Sequence, residues 1–144
     1  SYFYEMIEKA HADNIFKTAQ ATQIQIEDVV HKNPAFIVKV SDANVYSSYI
    51  PPKKEDMEKI WNDICLRPGW SDMDAIKQNH ILLLSHYAHG GASKLVGTMY
   101  IAKFLYPDKL PDLHPEEVFK KWVTVYEGLE YQTGHTFPAY ELND

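Results

Sequence analysis

The sequence of 144 residues predicts one α/β domain built around a small, mostly parallel β-sheet with helices on its faces. Two apolar runs, residues 35–40 and 80–84, carry aliphatic and β-branched side chains between polar or proline-containing segments, as buried strands do. Segments with helical spacing of apolar residues separate these runs and flank them. Strands that alternate with helices are typical of a parallel sheet with right-handed crossovers.

The helices follow from the spacing of apolar side chains and from the residues that end each segment. We predict helices over residues 2–12, 26–32, 53–66, 92–105 and 115–127, and a short turn or helix over 74–79. Asn33-Pro34 ends the second helix, because the residue before a proline avoids helical backbone angles. Pro115 suits the first turn of the last helix, and the acids beside it suit the helix dipole.

Two strands are few for an α/β domain of this length. Residues 41–52 have the composition of a loop and carry tyrosines, and the tail from Glu130 onward shows no regular pattern. We therefore expect either a strand that the sequence pattern does not reveal or a chain that forms part of a larger unit.

Composition and charge narrow the classes of function. The net charge of −6 and the lack of a basic cluster make nucleic acid an unexpected partner. The apolar runs of the sequence are shorter than a membrane span. Cys65 is the lone cysteine, which excludes an internal disulfide and a cysteine-based zinc site. Ten tyrosines and three tryptophans suit a contact surface as well as a core.

The second apolar run continues directly into SHYAHGG, residues 85–91. In open parallel sheets, ligands bind beyond the carboxyl ends of the strands, and this turn occupies that position. Its glycines let the backbone approach a ligand closely. We therefore predict that His86, Tyr87 and His89 project into a ligand-binding cleft.

Three kinds of chemistry are open to this turn. His86 and His89 could both bind a metal, although no third ligand is evident. The GGASK sequence is similar to a phosphate-binding loop, but its spacing departs from the G-x-x-x-x-G-K-[ST] pattern. We favour ligand recognition without catalysis, because no Ser-His-Asp order, nucleophile elbow or paired-carboxylate motif can be identified. The alternative is a metal-dependent or nucleotide-using enzyme with its site in residues 85–94.

Four segments together resemble the C-terminal lobe of the substrate-binding proteins of iron-siderophore, haem and cobalamin ABC importers. They are residues 6–16 (MIEKAHADNIF), 26–38 (IEDVVHKNPAFIV), 67–84 (RPGWSDMDAIKQNHILLL) and 100–118 (YIAKFLYPDKLPDLHPEEV). The order and spacing of the segments carry the resemblance. It implies that residues 1–144 form a single domain, a three-layer Rossmann-like lobe, and that the N-terminal lobe of the family is absent.

The resemblance implies an extracytoplasmic, non-catalytic protein that holds a metal chelate between two lobes and delivers it to an ABC permease. A ferric siderophore or haem is favoured over cobalamin, because residues 19–22 stand where a tryptophan is expected. No intrinsic cofactor is implied. A lone lobe would expose a face that is normally covered, which favours formation of a homo-oligomer.

The resemblance and the sheet geometry together assign the site residues. Glu27, with its neighbour Asp28 as the fallback, would form a salt bridge to an arginine of the permease. The predicted ligand contacts are His86, Tyr87, His89, Arg67, Tyr46 and Tyr49. His86 and His89 are also the predicted metal ligands, since imidazole can bind ferric iron or haem. We expect core positions for Trp61 and Trp122, and surface positions for His11, His31, His114 and His135.

Overall fold

The computed structural model describes residues 2–16, 24–41, 49–89 and 94–139, with side chains for all of them except Tyr2, Phe3 and His89. The elements follow one another in the order α1 (Tyr2–Lys9), α2 (Ile26–Lys32), β1 (Ile37–Val40), α3 (Lys54–Cys65), α4 (Asp74–Lys77), β2 (Ile81–Leu84), α5 (His86–His89), α6 (Lys94–Leu105), α7 (Pro115–Lys121), a π-helical segment (Trp122–Tyr126) and β3 (Thr136–Phe137). The described part of the chain is therefore a mixed α/β fold, as predicted.

The described strands form one sheet in the order β1-β2-β3. β1 and β2 are parallel, with Ile37 opposite Ile81 and Val40 opposite Leu84. β3 is antiparallel to β2, with Thr136 opposite Leu84. The third strand lies in the tail that the sequence pattern left irregular, so the shortage of strands in the prediction is partly a missed strand.

Strand β2 is buried on both faces, and this produces a three-layer arrangement. On one face, Leu82 and Leu84 belong to a cluster with residues of α1, α5, α6, α7 and the π-helical segment: Met6, Ala10, Ala88, Val96, Tyr100, Ile101, Phe119 and Val123. On the other face, Ile81 and Leu83 pack with Met57, Ile64, Trp70 and Met73. Complete burial of each aliphatic side chain contributes about 1.5–3 kcal/mol to the free energy of folding. Since β2 supplies two such side chains to each cluster, it lies at the centre of both cores.

The aromatic residues of the helices pack as predicted. Trp61 is half-buried against the cluster on the α3 face, and its ring lies 5.4 Å from that of Phe137. Trp122 is half-buried against the other cluster. The helix predicted over residues 115–127 changes from α to π geometry at Trp122, a difference that apolar spacing alone does not reveal.

Because β1 and β2 are parallel, α3 returns the chain from the edge where β1 ends to the edge where β2 begins. We call these the carboxyl edge and the amino edge. Backbone hydrogen bonds from Ala75 to Pro34 and from His80 to Ala75 tie α4 to the amino edge. None of the helices in the described ranges is both long and apolar enough to cross a membrane.

Candidate functional site

Three chain segments meet at the carboxyl edge. Ser41 follows β1, Ser85 follows β2, and His135 precedes the antiparallel β3. The Ser41 amide donates to the Leu84 carbonyl at 2.8 Å, and the Ser85 amide donates to the His135 carbonyl at 2.7 Å. The edge where the sequence predicts a ligand is thus assembled by backbone pairing of all three segments.

A buried hydrogen-bond chain joins these segments through side chains. The Nε2 of His135 lies 3.0 Å from the Tyr49 carbonyl oxygen, and its Nδ1 lies 2.8 Å from Ser85 Oγ. A carbonyl can only accept, so Nε2–H donates to Tyr49 and Nδ1 accepts from the Ser85 hydroxyl. Ser85 Oγ in turn accepts from the Ala88 amide at 3.1 Å and caps the first turn of α5.

Burial sets the protonation state of His135. It lowers the pKa of the imidazole to about 4, although the hydrogen bond to the Tyr49 carbonyl acts in the opposite direction. Ser85 and His135 are each 2% exposed. The pair therefore stays neutral and enclosed near pH 7, which suits a fixed support for the edge and not an accessible nucleophile and base.

The prediction that His135 lies at the surface is wrong. The residue before it, Gly134, adopts a φ of 114°, a backbone conformation that favours glycine. A glycine next to a histidine in a polar tail was the signal that sequence reasoning missed. It marks a change in backbone direction immediately before His135.

Two of the predicted ligand contacts, His86 and Tyr87 of α5, differ in their exposure to solvent. His86 is exposed at the carboxyl edge, immediately after Ser85. Tyr87 is half-buried, with its ring 5.6 Å from Phe119 and 5.8 Å from His135. Burial raises the pKa of Tyr87, and the nearby Glu127 carboxylate raises it further, while a hydrogen bond with Trp122 lowers it. His86 is thus the outward member and Tyr87 the inward member of the pair.

The turn predicted over residues 85–91 is helical from His86 to His89. The side chain of His89 and residues 90–93 lie outside the described part of the structure. Within the described residues, no group of three or more His, Cys, Asp and Glu side chains is placed to hold a metal ion. The proposed metal pair of His86 and His89 therefore stays a prediction.

Two tyrosines and an arginine complete the predicted ligand set. Tyr49 reaches the carboxyl edge through its carbonyl group, and Tyr46 lies outside the described residues. Arg67 follows α3, which ends at the amino edge, and its guanidinium carbon lies 4.5 Å from the centroid of the Trp70 ring. Since α3 runs against the direction of β1 and β2, Arg67 is not brought to His86.

The predicted docking residues lie on α2. Glu27 and Asp28 occupy its first turn, and both are exposed. Carboxylates at this position are favoured by the helix dipole, so they need no further partner to be stable there. Among the ion pairs between described residues, none involves Glu27 or Asp28.

A comparison with solved structures identifies the fold. The chain is similar to the TroA-like periplasmic binding protein FepB from Veillonella parvula, with a TM-score of 0.78 and 21% sequence identity. The chain has a TroA-like fold. The match covers 96% of this chain and 41% of the FepB chain, so this chain spans less than half the length of the TroA-like protein that it matches. No family model matches the sequence, and no curated protein matches it.

Proposed function

We propose that this chain is the C-terminal lobe of an extracytoplasmic substrate-binding protein that delivers a metal chelate to an ABC permease. The observation that carries the proposal is the exposed imidazole of His86 at the carboxyl edge of a TroA-like fold. Ligands of open α/β sheets bind at that edge. The similarity to a periplasmic binding protein supports binding and transport over catalysis.

In this proposal the chelate lies between this lobe and a second one, and His86 contacts its metal or its polar periphery. A ferric siderophore or haem is the expected ligand, because imidazole binds ferric iron well. His89, Tyr46 and Tyr49 would supply further contacts. Tyr87 would support the ligand contacts from inside the fold, since its ring packs inward against Phe119.

Docking to the permease would use the exposed acids of α2. Glu27 would pair with an arginine of the permease, with Asp28 beside it. The charge of this turn supports such a role, because acidic and basic surfaces that match raise association rates and fix orientation. Docking and ligand binding would therefore depend on different residues of the same lobe.

Ligand binding is tested by titrating the 144-residue chain with haem, a ferric siderophore and cobalamin. Visible absorbance and tryptophan fluorescence are the two readouts. We expect saturable binding of haem or the siderophore, with affinity roughly tenfold weaker or more in His86→Ala, as for loss of one good contact. His31→Ala is the matched control, because His31 is an exposed histidine in the last turn of α2. Absence of saturable binding by every chelate, both to this chain and to the full-length two-lobe protein, would overturn the proposal.

Docking is tested in cells that carry the full-length protein and its permease. We expect Glu27→Gln to reduce uptake of the chelate while leaving its affinity for the purified protein unchanged. Glu55→Gln is the control, since Glu55 is also an exposed acid in a first helical turn, that of α3. Equal loss of uptake in both variants would argue against a docking role for Glu27.

A further inference from the structure

Strand β1 lies at one side of the described sheet and is less enclosed than β2. The order of the described strands is β1-β2-β3, so among the described residues no strand lies beyond β1. All four residues of β1 are half-buried, whereas all four residues of β2 are buried. Three of the four side chains of β1 are aliphatic, as in strands that have a neighbour on each side in a parallel sheet. We call the side of β1 that faces away from β2 its outer side.

The backbone of β1 has free hydrogen-bonding groups on its outer side. The Ile37 amide donates to the His80 carbonyl at 2.9 Å, so Ile37 faces β2. In a parallel ladder, alternate residues direct their amide and carbonyl groups to the same neighbour, so Val38 and Val40 direct theirs to the outer side. None of the backbone hydrogen bonds that link the described elements involves Val38 or Val40. Such a row of unpaired groups is a template for a further strand.

The packing of α2 is incomplete in the same part of the fold. Helix α2 ends at Lys32, four residues before β1 begins. Its Val29 and Val30 are half-buried against the same cluster as Ile37, but none of its residues is fully buried and Ile26 is 45% exposed. A helix of seven residues depends on tertiary packing of its apolar side, because it is unstable alone in water. A further apolar element beside β1 would supply this packing.

The two helices that precede β1 lie on opposite faces of the sheet. Met6 and Ala10 of α1 belong to the cluster that contains Leu82, whereas α2 packs against the cluster that contains Leu83. A strand on the outer side of β1 would therefore continue the middle layer of the same three-layer arrangement. Strands that are covered on both faces carry apolar side chains on both faces, so we expect this composition of the partner strand.

Charge on β1 argues against a second copy of the chain as the partner. Lys39 is half-buried between Val38 and Val40, and it takes no part in the ion pairs between described residues. If two copies paired antiparallel with Val38 opposite Val40, Lys39 would lie opposite Lys39 of the second copy, and like charges in this arrangement are destabilising. A strand with Asp or Glu beside Lys39 would gain from an opposite-charge pair instead. Charge therefore favours a different strand.

We propose that the outer side of β1 pairs with a further β-strand, which lies next to α2 and comes from the part of the two-lobe protein that this chain does not span. This inference rests on the proposed function, in which the chain is one lobe of a longer protein, and the match to FepB covers 41% of the FepB chain. The strand would be apolar on both faces, with a carboxylate beside Lys39. It would satisfy the free backbone groups of Val38 and Val40 and complete the packing of α2.

The test is hydrogen exchange, followed by NMR at single amides, in the 144-residue chain and in the full-length two-lobe protein. We expect the Val38 and Val40 amides to exchange roughly tenfold more slowly, or slower still, in the full-length protein, because the partner strand is present only there. The Ile37 and Lys39 amides are the internal control, since they face β2 and should be protected in both proteins. Equal exchange of the Val38 and Val40 amides in the two proteins, whether fast or slow, would overturn the inference.

Two proline substitutions test the same pairing through stability. Val40→Pro removes an amide of the outer side, whereas Lys39→Pro removes an amide that faces β2. We expect Val40→Pro to lower the thermal midpoint of the full-length protein by about 2–4 °C more than that of the 144-residue chain. Lys39→Pro should destabilise both proteins, because proline cannot donate to the ladder. If Val40→Pro lowers both midpoints equally, the inference fails.

The remaining outcomes separate the possible partners and the two proposals. If Val38 and Val40 of the full-length protein are protected only at concentrations at which it dimerises in size-exclusion chromatography, the partner is a second copy and the inference fails. If these amides are protected in a full-length protein that binds no chelate, the proposed function fails and the strand pairing stands. If they are unprotected in a full-length protein that binds a chelate, the strand pairing fails and the proposed function stands.

Discussion

At the amino edge of the sheet, two turns hold one another through exposed contacts, whereas at the carboxyl edge an enclosed histidine joins two other segments through hydrogen bonds. Asn33 and Asp74 exchange two hydrogen bonds, of 2.9 and 3.1 Å, on the surface of the amino edge. There, too, the ring of His80 stacks on Phe36 with centroids 4.5 Å apart. At the carboxyl edge, His135 is enclosed and its partners come from two other parts of the sequence.

This difference separates an edge that is held by exposed contacts from an edge that is held by a buried histidine. At the amino edge, Arg67 stacks on Trp70 and the Asn33 side chain is bonded to Asp74. The carboxyl edge is supported from beneath, so that its outer surface keeps an exposed histidine. Substitutions beneath the carboxyl edge should therefore have larger effects on folding than substitutions at the surface of the amino edge.

The largest expected effect is that of His135→Ala. It removes two hydrogen bonds, leaves a cavity and leaves the buried Ser85 hydroxyl without its acceptor, so it should lower the free energy of unfolding by about 3–4 kcal/mol. Urea denaturation at pH 7 measures this loss. The half-buried His80 of the amino edge provides the comparison. If His80→Ala is as unstable as His135→Ala, the two edges do not differ in their contribution to stability.

The next largest effect is a loss of folding stability at acid pH. The pKa of His135 is about 4 in the folded protein against an ordinary value of 6.5, so the unfolded chain binds a proton first as the pH falls. Neutral His135 therefore contributes about 3 kcal/mol to the free energy of unfolding above pH 6.5. This contribution declines as the pH falls from 6.5 to 4 and is absent below pH 4. Denaturation midpoints measured across this pH range should fall less steeply in His135→Gln than in the unaltered protein. Parallel curves for the two proteins would show that another group controls the acid response.

A smaller effect is expected at the amino edge from Asn33→Ala. Asn33 adopts the left-handed conformation with a φ of 43°, and its side chain makes both hydrogen bonds to Asp74. Loss of these exposed bonds and the backbone strain of alanine should together cost about 1–2 kcal/mol. Asn33→Gly relieves the strain but not the lost bonds, so thermal denaturation should rank it between the parent and the alanine variant. Equal stability of all three would contradict this account.

The smallest effect is expected from Tyr87→Phe. It keeps the ring against Phe119 and removes the hydrogen bond with Trp122, so stability should fall by about 1 kcal/mol. Tryptophan fluorescence should also change, because the indole of Trp122 loses its polar partner. A change in stability without any spectral change would indicate that the hydroxyl acts through another group.

The sequence predicts those elements whose signals are local. The range of α2, Ile26–Lys32, agrees with the predicted helix, because Asn33-Pro34 gives a clear end. Strand β2 is recognised as a continuous aliphatic run, since both of its faces are buried. The position of His86 at the carboxyl edge follows from the end of β2 and from the parallel connection between β1 and β2.

The remaining features depend on contacts between residues far apart in sequence. β3 has two residues, too few to show a period, and it is defined by pairing with the free side of β2. His135 is buried because Ser85 and Tyr49 supply its partners. Arg67 is a different case, because the parallel connection predicted between the two strands already places the end of α3 at the amino edge.

Strand β3 also sets the order in which the carboxyl edge can form during synthesis. A ribosome makes β1, α3 and β2 well before the segment that contains Gly134 and His135. Until that segment emerges, Ser85 lacks its acceptor and one side of β2 has no neighbouring strand. A nascent chain that already contains β1, α3 and β2 would therefore still lack the hydrogen-bond partner of Ser85, and the carboxyl edge would be the last part of the sheet to be completed.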